Sequence, residues 1–170
     1  MQREEQKLIA AQMGRKPRGV VAVAARCPAG HPAVVTCHPL RHCGERVIPF
    51  PTLYWLTCPA LCTEVSHLER DGVIAALEAD LARDPKMQAA FQLDHEDYIA
   101  RRWAVLTPAE QLGATQNGRV ADLQTRGIGG MVNRAAVKCL HLHLAHHLVT
   151  GNILGRLLVE RHGVCPCPAS

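Results

Sequence analysis

"GVVAVAARCPAGHPAVVTCHP", Gly19 to Pro39, decides the fold. "VVAVAARCP" is an apolar run that reads as a buried strand ending at Cys27 and Pro28. "AGHP" is a turn, and the following "AVVTCHP" is a partner strand, so the stretch predicts a β-hairpin. Further on, the prolines and β-favouring residues of "PFPTLYWLTCP" (Pro49–Pro59) predict a third extended segment ending at Cys58. Upstream, Gln2 to Met13 predicts a short helix stopped by Gly14. "GRKPRG" (Gly14–Gly19) is then a basic linker.

Everything after Cys58 carries helical signals. Thr63 or Ser66 can cap a helix, with Glu69 completing a Ser-x-x-Glu box on Ser66. Asp71-Gly72 interrupts it, and Val73, Ile74, Leu77 and Leu81 form the next apolar face. Asp84-Pro85 starts another helix, whose inner side holds Met87, Phe91, Tyr98 and Ile99, with His95 in the same stripe. "TPAE" (Thr107–Glu110) opens a further one. "GIGG" (Gly127–Gly130) precedes a long helix expected over 131–150, and a last helix is expected over 153–162. The fold class is α+β, mostly helical, with a small N-terminal antiparallel β unit packed on a bundle of about five helices. The whole chain, 1–170, reads as one domain: a helix and linker (1–19), the β unit (20–59), the helical body (60–162) and a cysteine-containing tail (163–170).

A length of 170 residues can bury a sizeable core, and with 4% aromatics aliphatic side chains must build it. The net charge of +4 is mild; it suits an anionic ligand and gives no specific signal for nucleic acid. No apolar window is long enough for a membrane span, and the charged N-terminus lacks the apolar run of a signal peptide, so a cytoplasmic location is expected. Eight cysteines in a reducing compartment shift weight from disulfides to metal binding or catalysis. No pair of Cys-x-x-Cys knuckles occurs, so any metal site must gather distant ligands through the fold.

On a continuous helix, Cys139, Leu142, His143 and His146 would share one face, and a cysteine and a histidine four apart can reach one ion. Against this stands a plain core cysteine with a solvated histidine face. Cys27, Cys58 and Cys165 each precede a proline, a step also found around iron–sulfur clusters. Gly129 and Gly130 before a helix, flanked by Arg126 and Arg134, could hold an anion, with Arg15 and Arg18 converging from the linker. The competing reading is a tight turn between helices. His95 is either an acid or base, or a satisfied core histidine beside Tyr98.

"QMGRKPRGVVAVAARCPAGHPAVV", "PFPTLYWLTCPAL", "SHLERDG", "GIGGMVNRAAVKCLHLHLAHHL" and the cysteine tail resemble the bacterial domain-of-unknown-function family numbered five hundred and one, over nearly the whole chain. The resemblance implies no activity. Its motif positions fall here on Arg15, Arg18, Cys27, Pro49 to Pro59, Glu69, His95, Gly129, Gly130, Lys138, Cys139, His141, His146 and a tail cysteine, Cys165. His143, His147 and Cys62 depart from the pattern.

Residues and resemblance together give the expected function: a metal-binding enzyme, iron–sulfur or zinc, acting on a small anionic substrate that could carry phosphate. Cys27, Cys58 and Cys139 would be ligands, with Cys165 or His146 as the fourth. Lys138, His141 and His95 would serve catalysis, and Arg15, Arg18, Arg126, Gly129 and Gly130 would bind the anion. The alternative is a non-enzymatic zinc-stabilised module that binds a protein or nucleic-acid partner.

Overall fold

The computed structural model describes residues 2–44 and 46–164. Its centre is β2 (Pro32–Cys37), flanked by β1 (Val20–Arg26) and β5 (Tyr54–Leu56) in an antiparallel sheet of order β1-β2-β5. The two-residue alternation of strands gives this sheet two buried faces. Val34, Tyr54 and Leu56 enter the main core against the helical body. Val35, Cys37 and Trp55 face the other way and pack with Ile9 of α1 (Arg3–Met13). The sheet is therefore sandwiched between one N-terminal helix and the rest of the molecule. Gly14 ends α1 in the left-handed conformation, as its position predicts. A separate hairpin, β3 (Leu40–Cys43) with β4 (Arg46–Pro49), was not anticipated by the sequence reading.

The helical body comprises α2 (Pro59–Arg70), α3 (Val73–Arg83), α4 (Pro85–Ala104), α5 (Pro108–Gln116), the short α6 (Val120–Gln124), α7 (Leu140–Thr150) and α8 (Ile153–His162). Two starts follow the sequence signals. Asp84 accepts from the Lys86 and Met87 amides at the head of α4, and Thr107 with Glu110 forms the reciprocal capping box of α5. Among the described residues no helix is long and apolar enough to cross a membrane.

Two expectations are overturned. The helix expected over 131–150 begins only at Leu140, and Cys139 precedes it with extended backbone (φ −160°, ψ 141°). The cause is long-range: the Val137 amide donates to Glu78 Oε1 (2.8 Å) and the Leu140 amide to Glu69 Oε1 (2.6 Å). Two carboxylates from other helices take up donors that a continuing helix would have used itself. Likewise the Ser66–Glu69 box does not form. α2 already starts at Pro59, the Ser66 hydroxyl donates back to the Cys62 carbonyl, and Glu69 crosses to α7.

Candidate metal centre at the start of the seventh helix

Cys139, His141 and Glu69 meet where α7 begins against α2. One ligand atom from each lies within 4.8 Å of the others, and among the described residues this is the only such set of three. Each is half-buried, so the group is reachable from solvent. Ligand atoms around a tetrahedral zinc ion lie roughly 3.3–3.7 Å apart, so closing the set needs movement on the order of 1 Å.

Glu69 Oε1 takes both the Leu140 amide (2.6 Å) and His141 Nδ1 (3.1 Å), which fixes the carboxylate. His141 Nε2 donates to the Cys62 carbonyl (3.2 Å), with Ser66 Oγ at 3.3 Å. Both ring nitrogens thus face acceptors, which favours the imidazolium. The Cys139 side chain first, and the Glu69 carboxylate next, push the His141 pKa up to about 9 against the cost of burial. When Nδ1 gives up its proton it can ligate while Nε2–H stays on the carbonyl, the usual outer support of a metal-bound histidine. Lys138, adjacent in the chain, is exposed and its Nζ donates to the Gly129 carbonyl (2.9 Å).

The other expected site residues go elsewhere. Cys27 (5% exposed) closes β1 and Cys58 (3%) precedes α2; both belong to the main core and neither joins Cys139 in a three-ligand set among the described residues. Cys165 lies outside the described residues. His146 is fully buried, its ring 5.9 Å from that of Tyr54 and 5.1 Å from that of Tyr98, with Nε2 3.3 Å from Asp97 Oδ2. His95 is buried against Phe91, and its Nδ1 accepts from the Ile128 amide (3.0 Å). Burial drives the His95 pKa down to about 4.

The glycine turn does not form the expected helix-headed anion site. No helix follows it directly, so no dipole points at it. The Gly127 and Gly130 amides bond within the turn, and Arg126 is paired with Asp122 (2.9 Å). These glycines are needed for space. A Cβ on Gly129 would lie 2.3 Å from Leu142 Cδ1, one on Gly130 would lie 2.6 Å from Pro51 Cγ, and both residues have positive φ. Arg15 and Arg18 line a different cavity, between α1 and the sheet.

With the geometry in place, comparison with known families is informative. The family model described as "Protein of unknown function (DUF501)" matches residues 23–160. The chain belongs to this family. The match takes in Glu69, Cys139 and His141 and stops short of both the 14–19 linker and the tail. No curated protein and no solved structure matches the DUF501 chain. Sequence reasoning assigned Glu69 to a local cap. The one signal that placed it beside Cys139 and His141 was their shared standing as motif positions.

Proposed function

We propose that this protein binds one divalent transition-metal ion, zinc by preference, through Glu69, Cys139 and His141, and that it is a metal-dependent enzyme for a small anionic substrate. The observation that carries the reading is the three-ligand set with His141 Nε2 anchored on the Cys62 carbonyl. A mixed sulfur, nitrogen and oxygen donor set suits zinc, whereas iron–sulfur clusters are held mainly by thiolates. Three protein ligands leave a fourth position for water or substrate, where zinc lowers the pKa of bound water to about 7.

Metal analysis of protein purified without chelator tests this directly. About one zinc per chain is expected, falling severalfold in Cys139→Ala and His141→Ala. Wild-type protein without bound metal, or variants that retain it fully, would sink the reading. Cobalt substitution separates the enzyme from the alternative of a closed structural module. A spectrum of one thiolate plus an exchangeable ligand supports the open site; two or more thiolates support the module.

The contact between Cys139 and the His141 imidazolium favours a second reading, a thiolate nucleophile oriented by His141 and Glu69. Fast alkylation of Cys139 that added zinc does not slow would favour it.

A further inference from the structure

A second cavity, of about 430 Å³, opens between α1, the 14–19 linker and the α1-facing side of the sheet. Among the described residues four cationic side chains line it, Arg15, Lys16, Arg18 and Arg41, and no carboxylate does. Among the described residues none of the four is in an ion pair. Arg41 Nε is buried, with no hydrogen-bond partner among the described residues.

Arg15, Lys16 and Arg18 are exposed and Arg41 is half-buried, and two of the four rest on aromatic rings. The Arg41 guanidinium lies 3.4 Å from the Phe50 ring centroid and that of Arg15 lies 5.3 Å from the Trp55 ring. The linker is tied at both ends, by the Arg15 amide on the Ala10 carbonyl (3.2 Å) and the His38 amide on the Gly19 carbonyl (2.7 Å). Like charges gathered in a concave site repel one another until an anion joins them.

The volume is that of a small-molecule site and exceeds what a lone phosphate fills. Met13, Val20 and Trp55 give it an apolar wall. Planar guanidinium groups match phosphate oxygens two at a time. We propose that this cavity binds a phosphorylated small molecule of the nucleoside diphosphate class, its phosphates on the arginines and its ring on the apolar wall. This site shares no residue with the metal centre, and the proposal does not depend on that centre.

Trp55 and Trp103 are the only tryptophans of the chain, so Trp103→Phe leaves Trp55 as a reporter inside the cavity. Titration with ADP should change its fluorescence saturably, with one site and a Kd below about 1 mM. Each lining arginine carries a charged hydrogen-bonding group, so Arg41→Gln should weaken ADP about tenfold and Arg15→Gln/Arg41→Gln about a hundredfold. Arg156→Gln, on α8 and outside the cavity lining, should leave it unchanged, as should EDTA. Pyrophosphate should bind more weakly than ADP. If Trp103→Phe does not fold, calorimetric titration of the wild-type chain gives the same readings. No saturable binding of ADP or pyrophosphate, equal loss in Arg156→Gln, or binding of an oligouridylate without binding of ADP would each overturn the proposal. Pyrophosphate binding as tightly as ADP would overturn the role of the apolar wall.

Discussion

Two groups of polar side chains lie inside this molecule, and they are treated in opposite ways. Along α4 and the middle of α7 sit Arg102, His95, His143 and His146, each 0% exposed. At the first turn of α7 sit Glu69, Cys139 and His141, each half-buried. In the interior, charge is either suppressed or fully committed. Burial lowers the pKa values of all three histidines there, His95 to about 4 and His143 to about 3. Arg102 keeps its charge and spends every donor on backbone: Leu123 twice (2.9 and 2.6 Å), Pro51 (3.1 Å), Gly127 (3.2 Å) and Arg126. At the α7 start, by contrast, the charged form of His141 is favoured, and Glu69, Cys139 and His141 lie close together. The interior set serves architecture, and the corner set is the one proposed to bind metal.

Arg102→Ala is the strongest way to break the contrast. It would remove five hydrogen bonds from four buried or part-buried carbonyls and should cost at least about 3 kcal/mol in urea unfolding. Arg102→Lys should recover only part of this, since an ammonium cannot reproduce the fork. If the variant unfolds like wild type, the interior set is not architectural.

The pH dependence of melting comes next, because the two groups predict opposite limbs. His95 and His143 have folded pKa values below the unfolded value of about 6.5, so the unfolded chain takes up protons first. Their contribution is present above pH 6.5 and is lost as pH falls toward 4. His141 is raised to about 9, so its contribution is complete below about 6.5 and is lost as pH rises through 9. The Tm should therefore fall on both sides. His143→Leu should flatten the acid limb and His141→Asn the alkaline one. A limb that its variant leaves undiminished refutes the assignment, while the part of the acid limb due to His95 should remain in His143→Leu.

Smaller stability effects should accompany larger metal effects at the corner. Glu69→Ala removes the acceptor of the Leu140 amide and should cost about 1 kcal/mol. Cys139→Ser should change stability by less than about 0.5 kcal/mol, yet both variants should lose metal severalfold. Stability and metal content moving together would erase the distinction between the two regions.

Local signals carried most of the fold. The 20–37 hairpin, the Gly14 stop, the Asp84 cap and the Thr107–Glu110 box all act within a few residues, and each is realised. The α7 start was hidden because residues 131–139 contain helix-favouring alanines and lysine, while the groups that end the competition, Glu78 on α3 and Glu69 on α2, come 59 and 71 residues before the amides they bind. Placing Cys139 on the histidine face followed from that error of start. Arg102 was hidden for a related reason: an arginine beside Arg101 on α4 reads as solvated surface, and only the carbonyls of distant segments draw it inward. The sequence pointed to Cys139 and His141 as candidate site residues, and the structure adds Glu69 beside them.

Glu69 also says something about how the chain reaches this state. Most helices carry a start signal within a residue or two of their first turn, so nucleation is a local event. α7 borrows its signal from a residue 71 positions earlier. Its register is therefore set by closure of a long loop rather than by its own sequence, which puts it late among the folding steps. Stopped-flow refolding of Glu69→Ala should show slow formation of α7 while the 20–37 hairpin forms at its usual rate. A late element to lock in this protein is then the one that follows Cys139 and carries His141.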